Sequence, residues 1–318
     1  MKVISTFSGC GGSSLGYQQA GGKVLLAVEY DDHAAQMYAK NFPKTKLYHG
    51  DIAQLTGEET CQLTGLKPTE LDILDGSPPC QGFSTAGRRI FHDTRNQLFR
   101  EYVRLLRYLQ PKTFVMENVA GMVKGKMKLI FAECLKELRA SGYRVRARLF
   151  NTSSFGVPQS RRRLIFMGVR DDLNIEPSFP KPCGPIVSIM EAIEGADTSG
   201  VPQLSQRYAD IYEQVPYGGN ASDVWKTKSH FSDCIKPHPR KPCCTLPKMQ
   251  TGTGFATICH PFEPRALSIG EAKRIQTFPD DFILTGSYAN QWARIGNSVP
   301  PLFMKQIATH IRQAIIAV

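Results

Sequence analysis

Cys80 sits in the run Pro78-Pro79-Cys80-Gln81-Gly82-Phe83-Ser84, directly after an apolar stretch, 71–75, that reads as a strand. A cysteine on a rigid double-proline turn at a strand end is placed as a nucleophile. Alone, a buried cysteine is ordinarily small apolar filler, because reactivity needs an electropositive, accessible setting. A second block, Glu117-Asn118-Val119, ends the strand-like run 113–117 and brings a carboxylic acid to the same sheet edge, so that nucleophile and acid would share one pocket. A third block, Gln159-Ser160-Arg161-Arg162-Arg163, precedes another strand. Alternation along it would set Gln159, Arg161 and Arg163 in one row. Taken alone, the three arginines fit a solvated or phosphate-binding stretch equally well.

Upstream lies a candidate cofactor end. The first strand runs into Phe7-Ser8-Gly9-Cys10-Gly11-Gly12 and then a helix, a turn where backbone N–H groups converge on a ligand and nothing blocks close approach. The spacing departs from the G-x-G-x-x-G dinucleotide form. The next strand ends at Glu29, about 20 positions on, where a carboxylate accepts hydrogen bonds from ribose hydroxyls, with Tyr30 beside it. A third strand is followed by Gly50-Asp51-Ile52: Asp51 could take an adenine amino group while Ile52 packs on the ring. Singly, Glu29 and Asp51 are ordinary solvated strand-end charges. Jointly, the three loops lie on the C-terminal edge of one sheet, where open α/β folds bind ligands.

The elements that must hold these loops are legible as a pattern. Runs at 2–7, 23–29, 71–75, 113–117, 143–150 and 163–169 read as strands, and 31–41, 96–109 and 127–141 carry apolar residues at helical spacing, the last stopped by Gly142. The alternation predicts a Rossmann-like α/β fold: a mixed, mostly parallel sheet with helices on both faces. After Arg170 prolines punctuate the chain, from Pro177 to Pro242, and Gly218-Gly219, Gly252 and Gly254 add flexible points. The reading is a main domain over 1–175 and 297–318, a smaller irregular domain over 176–267, and a hinge over 268–296. Helices are expected at 268–278 and 300–316.

Composition bounds the rest. The 318 residues suffice for a sizeable core plus a smaller domain, and 39 Lys and Arg against 28 Asp and Glu leave a net charge of +11, which suits a polyanionic partner. Nine scattered cysteines contain no Cys-x-x-Cys pair, which argues against a disulfide framework and for a reducing compartment. Cys243, Cys244, Cys259 and His260 match no standard zinc spacing, so no metal is expected. The opening Met1-Lys2-Val3-Ile4-Ser5 lacks a signal-peptide stretch and no run reaches the length of a membrane span, so a soluble cytoplasmic protein is expected.

With these blocks in order, and with Gly296-Asn297-Ser298-Val299-Pro300 near the end, the chain resembles the cytosine carbon-5 DNA methyltransferases, bacterial or phage type, over nearly its full length. The stretch from Glu271 to Asp280 is also similar to that family's penultimate motif. The resemblance implies S-adenosylmethionine as cofactor, S-adenosylhomocysteine as product and double-stranded DNA as substrate. By it, Cys80 adds to carbon 6 of a flipped cytosine, Glu117 hydrogen-bonds ring nitrogen 3 and the exocyclic amine, Arg163 supports the carbonyl oxygen, and Arg161 positions the same site or lowers the thiol pKa.

Its cofactor contacts would be Phe7, Gly9, Cys10, Gly11, Gly12, Glu29, Tyr30, Asp51, Ile52, Pro79, Asn297 and Ser298. DNA contacts would come from Gln81, Ser84, Arg88, Arg89 and Arg95 in a stretch resembling the family's mobile loop, from Gln159, and from Thr245, Gln250, Gly252 and Gly254 in a target-recognition domain. A monomer, and a cognate restriction endonuclease in the same prokaryotic or phage-infected cell, fit the resemblance. Two departures stand out: Ser5 where the family usually has an aspartate, and Gly270 where it usually has arginine. The rival readings are a transfer-RNA methyltransferase, whose Cys-Phe-Thr signature is absent here, and a catalytically silent DNA-binding protein, which would have lost Cys80 or Glu117.

Overall fold

The computed structural model describes residues 1–79, 97–125, 127–226, 234–250 and 258–317. In chain order these form β1 (Lys2–Thr6), α1 (Gly12–Gln19), β2 (Lys23–Glu29), α2 (Asp32–Asn41), β3 (Lys46–His49), α3 (Gly57–Thr64), β4 (Ile73–Gly76), α4 (Gln97–Leu109), β5 (Thr113–Val119) and α5 (Met127–Arg139). There follow β6 (Tyr143–Asn151), β7 (Gln159–Ser160), β8 (Arg162–Arg170), α6 (Ile189–Ile193), α7 (Gln206–Tyr212), α8 (Ala221–Trp225), β9 (Cys243–Cys244), α9 (Ile269–Ile275), α10 (Tyr288–Asn297) and α11 (Pro301–Ile311).

Contacts divide the chain into two compact units: Met1–Phe150 with Arg162–Lys181 and Met304–Val318, and Asn151–Arg161 with Pro182–Phe303. The first holds a seven-stranded sheet in the order β3-β2-β1-β4-β5-β8-β6. β1 pairs parallel with β2 and β4, as do β2 with β3 and β4 with β5, whereas β8 runs antiparallel to β5. This is the mostly parallel, Rossmann-like sheet that the sequence pattern predicts. Its order reverses between β1 and β4, so the loops after those two strands flank the topological switch point.

Why these residues form these elements follows from burial. All four residues of β4 are buried, and six of the seven in β5, which is what strands covered on both faces require. Helix α4 turns Phe99, Tyr102, Val103, Leu106 and Leu109 inward at spacings of three and four, against Leu74, Phe114 and Met116 of the strands. Side chains of this size contribute about 1.5–3 kcal/mol each when buried.

The second unit has little sheet. Its prolines remove ladder donors, and among the described residues its strand pairing is short: Gln159–Ser160 with Cys243–Cys244, in parallel, beside isolated bridges such as Gln203–Arg265 and Cys259–Ala266. That pairing explains why 151–161, expected in the main domain, belongs with the second unit. Its core gathers Ile189, Leu246, Leu267, Ile275, Trp292 and Ile295. Helix α9 starts at a capping box, Ser268 with Glu271, and the buried Glu271 takes both terminal nitrogens of Arg265 at 2.8 Å each. Helices α3 and α10, and the short α6, α7 and α8 within the region expected to be irregular, were not expected from the sequence, and the expected helix 300–316 ends as α11 at Ile311, followed by a π turn, Arg312–Ile316. Among the described residues no helix is long and apolar enough to cross a membrane.

Candidate active site

At the end of β1 the chain turns through three left-handed residues, Phe7 at φ 54°, Gly9 at φ 57° and Gly11 at φ 101°. Only glycine adopts such angles without cost, and at Gly11 there is a second reason: an added Cβ would lie 2.1 Å from the Phe42 ring. At Gly9 the same atom would point into open space. Glu29, closing β2, fastens this turn. Its Oε2 accepts from the Gly9 N–H at 2.7 Å, and its Oε1 accepts from the N–H groups of Tyr30 and Asp31 at 2.9 and 2.8 Å. The Gly50 N–H donates to the Glu29 carbonyl at 3.0 Å, which brings the loop after β3 alongside. There Asp51 is exposed and Ile52 buried, while Tyr30 stands 75% exposed next to Glu29.

These residues fit a nucleoside cofactor. Among the described residues nothing crowds the backbone at Gly9, a carboxylate and an exposed ring lie beside it, and the buried Ser8 Oγ finds no hydrogen-bond partner. The sequence reading missed Ser8, whose only signal was its place inside the glycine turn.

At the other side of the switch point β4 leads into Pro78 and Pro79. Asn118, at the end of β5, donates from Nδ2 to the Pro78 carbonyl at 3.2 Å and accepts the Val119 N–H on Oδ1 at 2.9 Å, so the start of the double-proline turn is held to the acid-bearing strand. Its neighbour Glu117 is buried, with Oε1 2.7 Å from Nε of Arg163 on the antiparallel strand β8. The structure thus brings Glu117, Arg163 and the turn before Cys80 to one sheet edge. Cys80, Gln81, Ser84, Arg88, Arg89, Arg95, Gly252 and Gly254 lie outside the described residues.

The row expected of Gln159, Arg161 and Arg163 does not form. The Arg161 N–H turns back to the Gln159 carbonyl at 3.0 Å, and the strand breaks there, β7 ending at Ser160 and β8 starting at Arg162, so the alternation is interrupted. Arg161, 1% exposed, instead donates from its two terminal nitrogens to the carbonyls of Leu246 and Gly296 at 3.0 and 2.7 Å inside the second unit.

Gln159, expected at DNA, is equally buried: its amide donates to Gln276 Oε1 and its Oε1 accepts from the Leu246 N–H. Gln276 passes the network on to the Ser298 carbonyl. Gln250 spends its amide on the Ile258 backbone, accepting its N–H and donating to its carbonyl. Of the described DNA-contact candidates in this unit, Thr245 is the exposed one, and its hydroxyl donates to the Ser160 carbonyl at 3.0 Å. Asn297 closes α10, and the Ser298 hydroxyl donates to the Arg294 carbonyl at 2.7 Å.

A sheet that reverses order between a glycine turn and an acid-flanked strand end is the frame of the Rossmann-like methyltransferases, and solved members share it. A prophage-encoded DNA modification methyltransferase from E. coli superposes with a TM-score of 0.81 over 99% of both chains at 25% identity. The S. pombe Dnmt2 methyltransferase shares the fold with a TM-score of 0.67 over 98% of both chains at 19% identity. Residues 1–313 match the C-5 cytosine-specific DNA methylase family, and the chain belongs to it: it is a DNA cytosine-5-methyltransferase. Similar curated proteins include the type II methyltransferase M1.HphI of Haemophilus parahaemolyticus, 33% identical over 97% of this chain and 86% of the relative. Another, M.NgoPII of Neisseria gonorrhoeae, is 32% identical over 99% of this chain and 96% of its own length.

Proposed function

We propose that the methyl donor is S-adenosylmethionine, held by the glycine turn, Glu29, Tyr30, Asp51 and Ile52, and that the acceptor is a cytosine turned out of duplex DNA. The pair Glu117–Arg163, 2.7 Å apart beside the strand that leads to Cys80, is the observation that carries this reading. When bound, the cofactor supplies an electrophilic methyl group on a good leaving group.

The remaining work falls to side chains. A Cys80 thiolate adds to carbon 6 of the ring, which makes carbon 5 enamine-like and nucleophilic. Glu117 hydrogen-bonds ring nitrogen 3 and the exocyclic amine as charge develops, and Arg163 holds the carbonyl oxygen. Once carbon 5 carries the methyl group, its proton passes to solvent and the sulfur–carbon 6 bond breaks, restoring the ring double bond and returning Cys80 as a thiolate. Asn118, through the Pro78 carbonyl, sets where the double-proline turn starts. Turning the base out costs about a few kcal/mol, which phosphate contacts from Arg88, Arg89 and Arg95 and the +11 net charge help offset. Within this reading 176–267 is the target-recognition region, and its companion in the cell is a restriction endonuclease of matching specificity, as the type II relatives suggest. Arg161 then serves as a strut of that unit, in keeping with its two carbonyl partners.

The test is methyl incorporation from tritiated S-adenosylmethionine by purified protein offered duplex plasmid DNA or transfer RNA. Label in DNA alone is expected, lost in Cys80→Ala while S-adenosylhomocysteine still binds. Undiminished label with the variant overturns the nucleophile, and label confined to transfer RNA overturns the substrate.

A further inference from the structure

Beneath the switch point lies a carboxyl that the mechanism above does not use. Asp75 is buried in the middle of an apolar strand, β4, and stands directly opposite Ser5 in the β1–β4 register. Ser5 Oγ donates to its Oδ2 at 2.9 Å, and the phenol of Tyr17, fully buried on α1, donates to its Oδ1 at 3.1 Å. The Asp75 carbonyl accepts from Thr6 Oγ1 at 3.0 Å, and the Tyr102 phenol donates to the neighbouring Leu74 carbonyl at 3.2 Å. Next along, Gly76 admits this crowding: a Cβ there would lie 2.4 Å from Thr6 Oγ1 and 2.7 Å from the Tyr102 ring.

A carboxyl in the interior is costly unless hydrogen-bonded, so its place here calls for a task. The elements it joins supply one. Helix α1 grows straight out of the glycine turn, its first backbone bond running from the Leu15 N–H to the Gly11 carbonyl at 2.8 Å, so whatever seats α1 also seats the turn. β4 in turn leads within three residues to Pro78 and Pro79. One side chain therefore sets α1 against both strands that border the switch point.

We propose that Asp75 is a positioning residue for the cofactor, its buried carboxyl holding α1 and the glycine turn in place against the strand that leads to the double-proline turn. Ser5 takes part through the β1–β4 register pair, its hydroxyl donating across the two strands to the carboxyl. The role rests on the cofactor reading above, and the test separates the two.

Binding of S-adenosylhomocysteine by titration calorimetry is compared, with circular dichroism as the check on folding, for the full chain and for Glu29→Gln, Asp75→Ser, Tyr17→Phe and the exchange Ser5→Asp with Asp75→Ser. We expect Asp75→Ser to weaken binding at least tenfold, with kcat at saturating cofactor within about threefold, and the exchange to restore binding to within about threefold. Wild-type affinity in Asp75→Ser, or no recovery in the exchange, overturns the proposal. If Asp75→Ser fails to fold, Tyr17→Phe decides, with at least threefold weaker binding expected and unchanged binding fatal to the idea. Unchanged binding by Glu29→Gln would instead count against the cofactor site itself.

Discussion

Replacing Arg161 by methionine keeps most of the side-chain volume and deletes only the guanidinium. Two interior carbonyls, those of Leu246 and Gly296, then lose charged donors at 3.0 and 2.7 Å. Hydrogen bonds from charged groups contribute about 1.5–3 kcal/mol each, so the second unit should lose about 3–6 kcal/mol of stability. For a unit of its size that is a fall of roughly 10–20 °C in melting temperature. Both tryptophans, Trp225 and Trp292, belong to this unit, and Trp292 itself donates to the Pro247 carbonyl next to Leu246 at 3.0 Å. Urea unfolding followed by intrinsic fluorescence therefore reports the affected region, while methyl incorporation at 15 °C reports the folded fraction's chemistry. Arg161→Met is expected to shift the urea midpoint strongly and to change kcat by less than about fivefold. Arg163→Met should do the reverse for this fluorescence signal, because its ion pair with Glu117 lies in the first unit: the second unit's unfolding stays little changed while kcat falls about a hundredfold or more, in line with loss of a preorganised donor. A stable Arg161→Met protein with kcat down a hundredfold would refute this division of labour and restore the row of cations as a chemical unit.

Gly11→Ala places a methyl 2.1 Å from the Phe42 ring at a φ of 101°, and about 2–4 kcal/mol of strain and overpacking should follow, read as a lower melting temperature and weaker S-adenosylhomocysteine binding. Desolvation pushes the Asp75 carboxyl from its ordinary 3.8 up to about 7, against hydrogen bonds from Ser5 and Tyr17, with Glu117 adding repulsion and Tyr38 and Tyr102 facing it uncharged. Between pH 4 and 7 the folded chain thus keeps a proton that the unfolded chain has lost, so this group's contribution to stability falls as pH rises through that window and levels off above it. At 1.36 kcal/mol per pH unit the full fall is on the order of 4 kcal/mol. Asp75→Asn, which does not titrate, should gain in melting temperature relative to the wild type as pH goes from 5 to 8, and a constant difference across that range would contradict the buried ionisation.

The strands that carry the site were legible because a parallel sheet covered on both faces leaves short apolar runs, and the turns after them are punctuated by glycine and proline. Thus the ends of β1, β2, β4 and β5 fall within two residues of where the pattern set them. Local alternation failed at Arg161, because one backbone bond from its N–H to the Gln159 carbonyl ends the strand, and no propensity announces such a bond. Gln159 and Gln250 are expected at DNA by the resemblance alone, whereas their partners, Gln276 and Ile258, become visible only once the chain is folded. Asp75 was readable as an acid inside an apolar run, but its meaning depends on cross-strand register with Ser5, some seventy residues away. Helix α10 did leave signs, Ser287 as cap and Trp292 and Ile295 at helical spacing, although Gly286 before it and Gly296 in its last turn obscured them.

The most direct measurement of the central claim is covalent capture on duplex DNA carrying 5-fluorocytosine at the methylated position, with S-adenosylmethionine present. Fluorine at carbon 5 cannot depart as the proton does, so the sulfur bond to carbon 6 should persist, giving a complex stable to denaturing electrophoresis whose cross-linked peptide maps to Cys80. Efficient methylation of ordinary cytosine with no captured complex, or capture through another residue, would contradict the account.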